Sequence, residues 1–204
     1  MRKNRLHNIL LGITLSLACV TTMTIGHAAP QQMINLGQSQ TLNPMDTQFM
    51  TKAAQTNMAE VQMGRLALKN SKNPQIKSLA NRLIQDHMRA NADLMAVAKG
   101  LNVQLPQQLS DAQQKQYSEL SKLHEDSFDK AFLNQMYQDH TAAIAMFDQE
   151  SRFGNKPELK RYAATTLPTL RNHEQQISGL GKSMNIVFTP MPKEVPAGFM
   201  PHKR

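Results

Sequence analysis

Three histidines stand where a helix would turn an apolar face inward. His87 falls between Leu83 and Ala90/Leu94, His140 between Met136 and Ile144, and His173 between Leu170 and Ile177. Glu60 breaks the pattern in the same way, between Thr56 and Met63. A buried ionisable group costs stability unless it is paired or bound, so these are the positions where chemistry is to be sought. Three imidazoles and a carboxylate supply the nitrogen and oxygen donors of a site for one divalent transition metal ion such as zinc, iron, manganese or copper. The same residues also suit a buried hydrogen-bond network of structural purpose, or an acid–base cluster without metal. Each histidine follows a short polar residue: Asp86-His87, Asp139-His140 and Asn172-His173. Adjacent helical positions differ by about 100°, so Asp86, Asp139 and Asn172 are candidates to hydrogen-bond a histidine on a neighbouring helix, as partners behind metal ligands do, or simply to face solvent.

Four long amphipathic segments must carry these side chains. Pro44, after Asn43, opens the first, to about residue 69, and Asn73-Pro74 repeats the opening for a second that Gly100 closes. Asp126-Ser127 starts a third, over about 127–153, and Pro157 a fourth that runs to about Gly179 with Pro168 inside it, where a kink is expected. Ser110 can cap a short helix through about Leu123 within the roughly 27-residue connection between the second and third. The predicted fold is all-α: a ferritin-like four-helix bundle with one long crossover carrying a short helix, the alternative being an up-down bundle with an oversized loop. Counting from the turns, Glu60 lies about 12 residues before the first and His87 about 15 after it. At about 1.5 Å per residue the offset is about 4.5 Å, and the same count relates His140 to His173. All four can therefore meet in one middle layer.

The balance of the chain agrees with helices. Aromatic residues make up 5%, tryptophan is absent and methionine reaches 14, which suits interlocking helices and argues against a β-sandwich. Arg2, Lys3 and Arg5 precede an apolar run from Ile9 to about Val20, followed by Gly26-His27-Ala28-Ala29, which reads as a secretory signal peptide cleaved after Ala28. The expected divisions are thus a signal over 1–28, a flexible glutamine-rich segment over 29–43, the bundle over 44–182 and a proline-rich basic tail over 183–204. Loss of the leader lowers the formal charge from +8 to +5. A nucleic-acid role is not expected, because export removes the partner and no aromatic-interleaved basic patch exists. Weak contact with an anionic envelope surface is compatible with the charge. No later stretch reaches the ~20 apolar residues of a transmembrane span. The expected location is the periplasm or the exterior. Cys19, the single cysteine, lies inside the leader, and Ser16 stands where a lipoprotein signal usually has leucine, so lipidation is the lesser alternative.

Other chemistry finds no anchor. Gly179-Leu180-Gly181-Lys182-Ser183 looks like the end of a phosphate-binding loop, but Gln176 occupies the first glycine's place and a helix precedes it. No Gly-x-Ser-x-Gly or His-Glu-x-x-His occurs. The methionines are potential soft ligands for Cu(I), but they do not form Met-x-x-Met runs and read as core filling. A binding protein is expected rather than an enzyme.

The run Glu60…Gly64-Arg65-Leu66-Ala67, then Ile76-Lys77…Ala80…Asp86-His87, Phe128-Asp129…His140 and Leu167-Pro168…His173 resembles the DUF4142 family of exported bacterial proteins, over about residues 45–180. The resemblance implies a ferritin-like bundle in the cell envelope and carries over no reaction. The chain departs from the di-iron pattern of ferritin-like oxidases, which pair glutamates with Glu-x-x-His: Ile84, Tyr137 and Leu170 stand three before the three histidines. A mononuclear site on Glu60, His87, His140 and His173 is the expectation. The reading is a metal-binding or stress-related envelope protein, the alternative a structural or protein-interaction bundle without metal.

Overall fold

The structure is a computed structural model, and it describes residues 42–189. Five helices occupy them: α1 (Pro44–Asn70), α2 (Pro74–Gly100), α3 (Asp111–Ser121), α4 (Glu125–Phe153) and α5 (Pro157–Ser183). Local chemistry sets several boundaries. The Asn43 side chain accepts the Asp46 N–H at 2.6 Å and Pro44 supplies a fixed φ at the first position of α1. Asn73 and Pro74 do the same for α2, with Gln75 N–H as the donor. Ser110 and Gln113 form a reciprocal capping box on α3. The fourth helix begins at Glu125, two residues before the expected start. The fifth runs through Pro168 and past Gly179 to Ser183, four residues beyond the expected end.

The longitudinal order follows from contacts at the helix ends. The Lys72–Glu125 ion pair, at 2.5 Å, and the hydrogen bond from Asn70 Nδ2 to the Leu123 carbonyl, at 2.8 Å, join the α1–α2 turn to the start of α4. At the opposite end, Asp46 Oδ1 accepts the Asn155 N–H at 2.9 Å, joining the start of α1 to the α4–α5 turn. Hence α1 and α5 run one way and α2 and α4 the other, and residues 101–124 must return along the length of the bundle. That is the crossover connectivity of a ferritin-like fold. The strongest packing is α1 on α2 and α4 on α5, with α1 also against α4 and α2 against α5, while α3 rests on α1 and α4.

Two apolar clusters fill the interior, one toward each end. Phe49, Met50, Leu94, Phe147, Leu159, Tyr162 and Leu170 make up much of the first, and Met63, Leu79, Leu83, Phe128, Phe132, Met136 and Ile177 much of the second. Each fully buried side chain of this size contributes about 1.5–3 kcal/mol. Along every long helix the changeover between clusters falls at Glu60, His87, His140 or His173, so the core is interrupted by a single polar layer.

The chain beyond α5 is more ordered than a loose tail starting at 183 would be. The Ile186 N–H bonds the Gly181 carbonyl at 2.8 Å, the Thr189 N–H bonds Asn134 Oδ1 at 3.0 Å, and Phe188 stacks on Tyr137 with centroids 4.3 Å apart. Apolar residues at 186 and 188 explain this, since they alternate onto the groove between α4 and α5. At the other boundary, Leu42 packs against the first cluster. The leader, its cleavage site, Cys19 and the proline-rich stretch from Pro190 onward lie outside the described residues.

Candidate metal centre

Helix periodicity brings one histidine from each of α2, α4 and α5 to the polar layer, where His87, His140 and His173 are all at most 2% exposed. Their ring centroids are 5.3–5.5 Å apart. One ring nitrogen from each lies within 4.8 Å of the other two. Between His140 Nε2 and His173 Nδ1 the distance is 3.3 Å. Two nitrogens bound tetrahedrally at ~2.0–2.1 Å to one ion would be separated by about 3.3–3.4 Å.

The other nitrogen of each ring faces a hydrogen-bond acceptor. His140 Nδ1 is 2.9 Å from the Met136 carbonyl, His173 Nε2 is 2.9 Å from Asp86 Oδ2, and His87 Nδ1 is 3.0 Å from Asn57 Oδ1. Asn57 is oriented in turn, because its Nδ2 donates to the Tyr162 hydroxyl at 3.3 Å. Each of these nitrogens must donate, so in the neutral ring the proton sits there and the remaining nitrogen carries a lone pair. For His140 and His173 those lone pairs face one another. For His87 it is Nε2, a buried atom with no hydrogen-bond partner. A pair of nitrogens facing one another, a third histidine beside them with its Nε2 buried and unpaired, and an acceptor behind each ring are features of sites in which histidines ligate metals.

Burial and mutual repulsion keep the rings neutral. Desolvation, with the charges of His140 and His173, holds His87 well below the ordinary imidazole range. Desolvation first, and His173 second, push His140 down to about 3 against the opposing Met136 carbonyl. His173 is also lowered by burial, with the Asp86 carboxylate acting the other way.

Glu60 shares the layer but not the cluster. Its Oε1 lies 3.6 Å from His140 Nδ1, the anchored nitrogen, and its Oε2 is buried without a partner. The carboxyl therefore sits behind His140, and the expected fourth donor does not join the three nitrogens. The geometry is dictated by α1 packing beside α4, which presents Glu60 to the Met136 side of the ring. Burial, reinforced by the charge of Asp139, raises Glu60 well above the usual carboxylate range. Of the three residues preceding the histidines, Asp86 reaches across from α2 to His173 on α5. Asp139 instead accepts from Gln135 on its own helix, at 3.0 Å, and burial raises it to about 6. Asn172 is exposed and accepts from Gln176. Its helix turns it away from the layer, so it supports no histidine.

Two participants escaped the sequence reading. Asn57 is one turn before Glu60 on the same face of α1, and a polar side chain there is a signal of the same kind, muted because an amide carries no charge. Tyr162 reads as an ordinary aromatic core residue until its hydroxyl is seen to meet Asn57.

The sequence model of a domain of unknown function, DUF4142, matches residues 31–180. The chain belongs to this family. No curated protein matches this DUF4142 sequence. In structure it is similar to a DUF305 fragment from Deinococcus radiodurans, 19% identical, with a TM-score of 0.62 over 70% of this chain and 98% of that one. A DUF305 protein from Streptomyces coelicolor is 12% identical, with a TM-score of 0.61 over 72% and 97%. CopM in its Cu(I)-bound form is 18% identical, with a TM-score of 0.57 over 67% and 95%. At such identities the likeness is one of fold. No described helix is long and apolar enough to cross a membrane.

Proposed function

We propose that this DUF4142 protein is exported to the cell envelope and there binds one transition-metal ion on the inward nitrogens of His87, His140 and His173. The observation that carries the reading is the tautomer pattern: every outward nitrogen is committed to an acceptor, leaving three lone pairs converging in a site closed to water. Imidazole sets of this kind take zinc, copper, iron or nickel. The similar CopM structures are copper- and silver-bound forms, which makes copper the first ion to test. Asp86 and Asn57, the latter held by Tyr162, would keep the rings oriented, and Glu60 would lie behind His140. Binding rather than turnover is the reading, since three donors in a buried layer offer no visible route for a substrate.

The competing reading is a structural bundle in which a proton bridges His140 Nε2 and His173 Nδ1. The two differ in stoichiometry. The protein isolated from its native compartment, or titrated with Cu(I), Cu(II) or Zn(II), should hold one ion per chain. His140→Ala should abolish binding while leaving the helical content. Absence of bound metal in all titrations, with His140→Ala acting only on stability, would favour the structural account.

A further inference from the structure

An ion's charge and coordination number must match the donors and the lining that surround it. Given the metal site proposed above, we infer that the layer selects a soft monovalent ion, Cu(I) or its analogue Ag(I), held by three imidazole nitrogens without a fourth ligand.

The donor set is small and uncharged. Among the described residues the ligand group comprises His87, His140 and His173, with one nitrogen from each within 4.8 Å of the other two. The neighbouring carboxyl groups are placed where they cannot join it. Asp86 is engaged with the outward Nε2 of His173 at 2.9 Å, and Glu60 Oε1 lies 3.6 Å from the outward Nδ1 of His140. Asp139 accepts from Gln135 on its own helix. The Asn57 amide is also spent, its Oδ1 on His87 Nδ1 and its Nδ2 on the Tyr162 hydroxyl.

The turns on either side of the three histidines are apolar. Leu83 and Ala90 flank His87, Met136 and Ala143 flank His140, and Leu170 and Ile177 flank His173. All but Ala90 are at most 5% exposed. A water molecule kept as a fourth ligand would need ~2–4 polar partners, and against this lining its protons would face hydrocarbon. Zinc is almost always held by four ligands in a closed site, and Cu(II) and Ni(II) favour square-planar or tetragonal sets. Cu(I) and Ag(I), with filled d shells and weaker hydration, accept three donors. The one heteroatom in the lining, the Met136 thioether, is itself soft. Charge acts in the same direction. The idealised cost of taking an ion out of water rises with the square of its charge, so it is about four times greater for a divalent ion than for a monovalent one of equal radius. Three neutral donors do little to offset that difference.

Competition titrations on the unsubstituted mature chain test this, with Cu(I) added anaerobically against a chromophoric chelator and Ag(I) as the redox-inert probe. Cu(I) should bind one to one and at least about 100-fold more tightly than Cu(II) or Zn(II), and about a hundredfold excess of Zn(II) should not displace Ag(I). X-ray absorption of the Cu(I) form should show three nitrogen neighbours. On addition of Ag(I), the ring nitrogen resonances of His87 Nε2, His140 Nε2 and His173 Nδ1 should move, while the opposite nitrogens keep their protons. Binding of Zn(II) or Cu(II) as tight as that of Cu(I), or a fourth ligand on the bound Cu(I), would overturn the monovalent reading and leave the three-histidine site standing. Ring resonances unmoved by every one of these ions would overturn both.

Discussion

A histidine can occupy a helical core only if both ring nitrogens are accounted for, and here each outward nitrogen has its acceptor while each inward one does not. If Asp86 fixes the tautomer of His173 and Asn57 that of His87, then Asp86→Asn and Asn57→Ala should each weaken metal binding by roughly 10–100-fold. The one-to-one stoichiometry should survive, as isothermal titration would show. The Asp86 variant is the more telling, because an amide can present its N–H to His173 Nε2 and move the ring proton inward onto the metal side. Affinity unaltered in both variants would mean that the rings are held by packing alone. At this scale the sequence was legible wherever a charged or titratable type interrupted an apolar stripe. It was illegible at Asn57, where the interruption carries no charge, and at Glu60, where the stripe puts the side chain inside but not on which face of the imidazole it arrives.

Among the elements, the segment after α5 behaves as a strap whose seat is made by the absence of a side chain. A Cβ on Gly181 would collide with the Phe188 ring. Gly181→Ala should therefore dislodge Phe188 from Tyr137 and strip protection from residues 184–189. Global stability should change little, because alanine favours the helix by about 1 kcal/mol while the lost contact involves a partly exposed segment. Exchange at the Thr189 amide, which bonds Asn134, gives the direct readout. Persistent protection there would show that the strap can shift without leaving. The long helices were readable because asparagine-proline openings and apolar periodicity are local signals. The strap was not: Ile186 and Phe188 are scattered apolar residues until Gly181 and Tyr137, distant in sequence, form a groove for them.

For the whole molecule the buried titratable groups predict an unusual stability profile in the metal-free protein. In the unfolded chain the histidines take up protons as pH falls through about 6.5. In the native layer they do not, His140 being held down to about 3, so their contribution is lost as pH falls from 6.5 toward 3. The raised carboxyls act oppositely. Glu150 at about 7 and Asp139 at about 6 keep protons that the unfolded chain releases near 4.5 and 3.8, and Glu60 is raised in the same direction, so that stability declines as pH rises through this range. The two slopes offset between pH 4.5 and 6.5. Urea midpoints should accordingly show a plateau there, a steep fall at lower pH and a shallow one toward pH 7. His140→Leu should make the acid limb shallower and tilt the plateau downward toward higher pH. Bound metal should raise the whole curve, by about 2.7 kcal/mol at a free concentration one hundred times the dissociation constant.

The sequence by itself determined that this chain makes four long helices with a crossover and that Glu60 and three histidines face inward. Periodicity, caps and the cost of burying charge are local or additive properties, readable one residue at a time. Only the tertiary structure decided which nitrogen of each ring is committed and that Glu60 stands behind His140. It alone showed that Asn172 faces solvent and that Asp46 holds the Asn155 amide at the far end. Those outcomes depend on the rotation and lateral order of packed helices, which fix distances of a few ångströms between residues tens of positions apart and leave no trace in the spacing of any single segment.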